Sequence, residues 1–249
     1  MPFTISHAVA VLPFRKLSSR YFSLTGLFVG SLVPDFEFFV RMTLYGVWGH
    51  TWGGIFYFDI PLGIVLCWLF HRFVRISLID HLPDYLFRRF ADFRNFNWTK
   101  YAKSHPVQVV SSLFIGILTH FILDNFTHEK EYIGLIYFEQ LASRNFFLGV
   151  ETPLYHILQI ISSLLGMLLI IYYIHFTAPK PISNDYTTPS QRVRFWSLVV
   201  LTGLLIGGLR WAVGVPDEKL FEQYLVISIS AFLWSISLIS ARYLSIGKV

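Results

Sequence analysis

An all-α, polytopic transmembrane bundle of about six spans is the fold the sequence predicts, on three observations. The 249-residue chain is 54% hydrophobic and 18% aromatic but only 14% charged, an oilier balance than soluble domains carry. Several apolar runs reach or approach the roughly 20 residues a helix needs to cross the hydrocarbon core. The basic residues collect between those runs, as topology signals do. The net charge of +5 is therefore read as membrane orientation, with no nucleic-acid partner expected. Cys67 is the single cysteine, which excludes an intrachain disulfide framework and a multi-cysteine zinc cluster.

Taken in order, the opening "MPFTISHAVAVLPFRKLSSR" lacks a basic stretch before its apolar part and a small-residue cleavage site, so it is expected to stay in the mature protein. Spans are expected at 22–41, 52–71, 107–127, 154–176, 195–214 and 223–241. Pro34, Asp35, Glu37 and Arg41 interrupt the first, which makes it the weakest. The gap from Arg72 to Lys103 holds seven Lys or Arg against three acids, whereas Glu129 to Glu151 holds only Lys130 and Arg144 as cations. The first is therefore expected in the cytoplasm and the second outside, with Arg242 and Lys248 holding the C-terminus inside. Residues 72–105 form a basic, aromatic connector expected to include an amphipathic helix on the anionic inner leaflet, or else a solvated linker. No second-domain boundary is visible, so residues 1–249 are read as one integral domain of a cytoplasmic (inner) membrane protein.

The polar residues inside this oily frame carry the chemistry. In "GILTHFILDNFTH" (116–128), His120 and Asp124 are four apart, so on a helix they leave one face a turn apart. His128 is a further turn along, roughly 12 Å in rise from His120, too far to share one ion with it unless the helix end unwinds. The topology puts Asp35, His50, His120, Asp124, His128 and His156 toward one, non-cytoplasmic, membrane face. Ionisable groups in spans are costly and mark functional sites. Imidazole and carboxylate suit zinc and related divalent ions, one or two here, which lower the pKa of bound water. Hydrogen bonding between helices is the competing explanation of the His120 and Asp124 pair. Asp35 has the alternative of a helix cap, and His156 that of an interfacial residue beside Tyr155. Asp59 stands two turns after His50 as a candidate to orient a ligand, with a helix break at Pro61 as its alternative. His71, His81, His105 and His175 fall toward the cytoplasmic side and stay outside the site.

"MPFTISHAVAVLP", "GSLVPDFEFF", "GHTWGGIFYFDIPLGI", "LIDHLPDYLFRRF", "GILTHFILDNFTH" and "YHILQIISSLLG" resemble, in this order, the bacterial family called domain of unknown function 4184. That family looks distantly similar to membrane-bound metal-dependent hydrolases and to zinc-dependent phospholipase C. The resemblance implies a metal-site core like the phospholipase C and nuclease helical fold, with His7, Asp35, His50, His120 and Asp124 as ligands. His128 is matched less closely. His156 and Gln159 in "HILQI" stand where the phospholipases have a His-x-x-x-Glu, and no carboxylate follows here. The implied activity is metal-dependent hydrolysis of a phosphoester of a lipid or envelope component, with Asp35 or Glu37 as general base. The alternative is a non-catalytic membrane protein holding a structural ion, or a transporter-like protein that binds an ion or lipid. For His7 to reach the others, its segment must re-enter the bilayer as a short helix or form a span leg itself.

Overall fold

The computed structural model describes residues 4–14, 21–129, 138–181, 186–216 and 219–246. Lys130 and Lys248, used above for orientation, lie outside the described residues. A 3-10 helix, Thr4–Phe14, opens the chain. After it come α1 (Leu24–Gly30), α2 (Phe36–Arg41), α3 (Ile55–Asp80), α4 (Asp84–Phe90), α5 (Trp98–Ser104) and α6 (Pro106–Thr127). A hairpin of β1 (Arg144–Phe147) and β2 (Val150–Pro153) then leads into α7 (Leu154–Phe176), α8 (Pro189–Ala212) and α9 (Leu220–Ile246). Apart from that hairpin the described architecture is helical.

Among the described residues five helices are long and apolar enough to cross a membrane: Ile55–Asp80, Pro106–Thr127, Leu154–Phe176, Pro189–Ala212 and Leu220–Tyr243. The 22 residues of α6 rise about 33 Å, enough for a hydrocarbon core of roughly 30 Å. The expected first span at 22–41 does not form. Its helix stops at Gly30, a 3-10 turn covers Val33–Asp35, and a six-residue helix follows. Pro34 is the cause: it lacks the N–H that a continuous helix would need, and it disfavours helical geometry at the residue before it. The second span runs further than expected, taking in residues 72–80 of the presumed connector.

The chain divides into two compact units. The first comprises residues 1–37, 46–65 and 105–173. Its core forms where α1 lies against α6, with Leu27, Leu113 and Ile117 fully buried. Close approach is possible because glycines meet there. A Cβ on Gly30 would stand 2.3 Å from the Leu113 carbonyl oxygen, and one on Gly116 2.5 Å from that of Leu27. The Ser23 side chain caps α1 by accepting from the Gly26 N–H, while its own N–H donates to Ser112 Oγ at 2.8 Å. The Thr4–Phe14 helix packs on α7 through Ser6, whose Cβ would lie 2.6 Å from a Cβ on Gly166.

The second unit comprises residues 38–45, 66–104 and 174–249. Phe195, Val199, Ile236 and Ile239 make its core, with Leu78, Trp196 and Tyr243 packed against them. His81 stacks on Phe195 at 4.2 Å, and its carbonyl accepts from Trp196 Nε1. The basic connector is folded here: Arg94 grips Asp80 through two bonds of 2.6 and 3.0 Å and covers the Tyr186 ring, and Arg192 pairs with Asp84. Arg89 donates to the last carbonyls of α7, Ile174 and His175, where a helix end leaves acceptors and favours a cation.

Candidate metal centre

Four separate stretches of the first unit deliver side chains to one point. The 3-10 helix brings His7, the turn at Pro34 brings Asp35, the loop before α3 brings His50, and α6 brings His120 and Asp124. All but His50 are buried, and its side chain is 10% exposed. Breaking the first span is what serves the site: the turn aims Asp35 inward, and its Oδ2 accepts from Thr4 Oγ1 at 2.6 Å. That bond leaves Oδ1 toward the cluster, 3.3 Å from His50 Nε2 and 3.8 Å from His120 Nε2.

His120 is oriented from behind. Its Nδ1 stands 2.9 Å from the Ser31 carbonyl oxygen, an acceptor, so Nδ1 carries the proton and Nε2 presents its lone pair. That lone pair meets His50 Nε2 at 3.3 Å and Asp124 Oδ2 at 3.2 Å, while His50 Nε2 lies 3.5 Å from the same oxygen. Two ring nitrogens this close need a proton or a metal ion between them, because two lone pairs facing each other would repel. With protons as the only cations, burial disfavours the charged His50 ring, but hydrogen bonds to Asp124 and Asp35 outweigh it and push its pKa up to about 9.

The second oxygen of Asp124 faces a second pair of imidazoles. Oδ1 lies 3.5 Å from His7 Nε2 and 3.4 Å from His128 Nδ1. Among the described residues neither His7 ring nitrogen has a hydrogen-bond partner, nor does Asp124 Oδ1, although all three are buried. The His7 ring stacks on His120 at 4.1 Å. Orphaned buried polar atoms are rare and costly, and two of them, His7 Nε2 and Asp124 Oδ1, face each other at 3.5 Å as two ligands of one cation would. His128 reaches this point because the helix stops at Thr127 and His128 turns extended, with φ −131° and ψ 165°. Burial pushes its pKa down to about 4 against the pull of Asp124, leaving it a neutral donor. Its Nε2 meets the Gln159 amide at 3.2 Å.

Glu37, His156 and Asp59 do not stand among the grouped ligand donors. Glu37, expected as an alternative general base, has its carboxylate committed: it accepts the N–H groups of Val47, Trp48 and Gly49, each at 2.8 Å. We assign it to positioning, since those amides form the loop that ends in His50. Gly49 belongs to the same device, as a Cβ there would meet the Pro34 carbonyl oxygen at 2.4 Å. His156 is exposed and stacked on Tyr155, so it does not join the cluster. Asp59 is fully buried in a π-helical turn, with no hydrogen-bond partner for either oxygen among the described residues. Thr4 and the Ser31 carbonyl were not anticipated. A backbone acceptor has no residue-type signature, and a threonine 31 positions before its partner leaves no local pattern.

Glu37→Gln is expected to loosen the His50 loop by replacing at least one charge-assisted bond, worth about 1.5–3 kcal/mol, with an amide facing an amide. Thermal unfolding in detergent should shift down, and metal affinity should fall about tenfold. An unchanged affinity would show that the loop holds His50 without Glu37.

Fold and cluster together define a class: a multi-pass helical membrane protein whose first unit gathers five His and Asp side chains around a buried point. A family model described as Domain of unknown function (DUF4184) matches residues 1–241, and the chain belongs to that family. No curated protein and no solved structure matches the chain.

Proposed function

We propose that the protein is a membrane-bound, metal-dependent hydrolase acting on a phosphoester of a lipid or envelope component, with its site toward the non-cytoplasmic face. The observation that carries the ion is the triangle of His50 Nε2, His120 Nε2 and Asp124 Oδ2, with edges of 3.2, 3.3 and 3.5 Å. Ligands about 2.0–2.1 Å from a tetrahedral zinc are separated by about 3.3–3.4 Å, so this triangle matches one face of such a shell. His7, Asp35 and His120 form a second group of ligand atoms within 4.8 Å of one another, and Asp124 Oδ1, 3.5 Å from His7 and 3.4 Å from His128, would bridge to it if two ions bind. The resemblance of the motifs to metal-dependent hydrolases and zinc-dependent phospholipase C supplies the reaction class, an argument by analogy. It also supplies the reading of this unit as a phospholipase-like core.

A divalent ion held there would supply charge neutralisation for a developing oxyanion and an acidified water. The chain's own groups do the rest. Asp35, anchored by Thr4 through one oxygen, keeps the other beside the ion position to accept a proton. The Ser31 carbonyl holds His120 in the tautomer that presents Nε2. His50 and His128 are the ligands with open edges, and substrate would arrive past His50.

One observation favours a second reading, an ion held without catalysis: Asp35 Oδ1 approaches the same two ring nitrogens and would close a four-donor shell. Metal analysis of purified protein separates the readings when combined with a phosphoester panel. We expect one or two zinc ions per chain, their loss in His120→Ala, and hydrolysis that disappears with them. Bound zinc without turnover of any ester would select the structural ion, and protein free of metal after zinc loading would remove both.

A further inference from the structure

Two of the clustered side chains reach the surface, His50 at 10% exposure and His128 at 12%, and the path past His50 is the one lined with aromatic rings. The side chains of His7, Asp35, His120 and Asp124 are at most 3% exposed, against 10% for His50. Approach past His50 crosses an uncharged surface: residues 46–58, "GVWGHTWGGIFYF", contain no Lys, Arg, Asp or Glu, and Trp48, Trp52, Phe56 and Tyr57 are exposed. Ring contacts give this surface a direction. His50 stacks on Phe121 at 6.3 Å, Trp52 meets Phe121 edge-on at 5.8 Å, and Phe56 stacks on Phe114 at 6.1 Å. Phe121 and Phe114 are seven residues apart on α6, about two turns and 10 Å. An aromatic seam therefore starts beside His50 and runs down α3 and α6 toward the middle of a span.

The seam's chemistry selects its occupant. A water-soluble phosphoester is usually gripped by Arg or Lys, and residues 46–58 supply neither. An apolar chain gains about fourfold in affinity for each methylene it buries. Tryptophans at the start of a span mark the membrane interface, which puts the seam's mouth where a lipid's polar and apolar parts meet.

We propose that the seam of Trp52, Phe56 and Phe114, backed by the buried Phe121, is a tail-binding groove, through which a bilayer-resident ester enters sideways with its ester linkage at His50 and its apolar chain along Phe56. The inference rests on the hydrolase reading and adds the source of the substrate and the part of it that is selected.

The test uses zinc-loaded full-length protein in lipid nanodiscs and two p-nitrophenyl phosphodiesters that differ only in carrying a methyl or a dodecyl second ester group. We expect kcat/KM to favour the dodecyl ester by at least about 100-fold. Partitioning into the disc contributes to that preference, so the deciding quantity is its dependence on the seam: Phe56→Ala should lower the dodecyl-to-methyl ratio about tenfold. A ratio that does not move, or equal rates for the two esters, overturns the groove. A second readout needs no turnover. Dodecyl phosphate with a photoreactive diazirine at the tail end should label Trp52, Phe56 or Phe114 in preference to Leu164 and Leu168, which are exposed on α7. Seam labelling without hydrolysis of either ester keeps the groove and removes the hydrolase. Hydrolysis with labelling spread evenly over α7 keeps the hydrolase and removes the groove.

Discussion

Asp124→Asn is expected to lower divalent-metal affinity by more than about 100-fold and to abolish hydrolysis with it. The magnitude follows from position. Losing a group that merely orients a ligand typically costs 10–100-fold, and Asp124 stands among the donors themselves. Its two oxygens face different imidazole pairs, His50 and His120 at Oδ2 and His7 and His128 at Oδ1. Asparagine keeps the shape but removes the negative charge and turns one oxygen into a donor, so one imidazole pair faces an N–H where a cation ligand is needed. The stoichiometry distinguishes a bridge from a ligand of one ion. If Asp124 bridges, the variant should lose both ions together, whereas His128→Ala should lose only the one on the Oδ1 side. Zinc content after dialysis, and competition with a chromophoric chelator, measure both. Full zinc content in Asp124→Asn would exclude this carboxylate from the site.

What the sequence could and could not show follows from the range of the interactions. Spans over 107–127 and 154–176 were readable because hydropathy is local, and the helices observed, Pro106–Thr127 and Leu154–Phe176, differ from them by a residue at most. The segment at 22–41 had comparable oiliness, but its course depends on Pro34 and on contacts with α6, 80 residues further along, so composition could not separate a span from two short helices. His120 and Asp124 share a helix face by simple periodicity. The place of His128 turned on the helix ending at Thr127, and a cap lacking a glycine or proline gives little warning. The partners of Glu37 were hidden for a related reason. A second carboxylate beside Asp35 looks like a catalytic partner until the amides of Val47 to Gly49, brought back by the intervening turn, are seen to occupy it.

Gly116→Ala tests whether the site depends on the close crossing of α1 and α6, and its effect should reach the metal as well as the fold. The new Cβ would stand 2.5 Å from the Leu27 carbonyl oxygen and 2.7 Å from the Ser31 nitrogen, backbone atoms that cannot swing aside as a side chain would. Relief requires α1 to move away from α6, at a cost typical of overpacking, about 1–3 kcal/mol. Ser31 sits at the end of α1 and its carbonyl is the acceptor for His120 Nδ1 at 2.9 Å, so the same movement removes the group that fixes the His120 tautomer. Metal affinity should therefore fall about 10–100-fold, beyond what a uniform loss of stability would cause at temperatures where the variant is still folded. Gly208 on α8 provides the comparison, because a Cβ there meets nothing within 4 Å. Gly208→Ala should leave zinc binding unchanged and raise stability slightly, since alanine is the better helix former. If Gly116→Ala unfolds at a lower temperature but binds zinc as tightly as the wild type, then the Ser31 carbonyl does not position His120, and the link between the glycine crossing and the metal centre is broken.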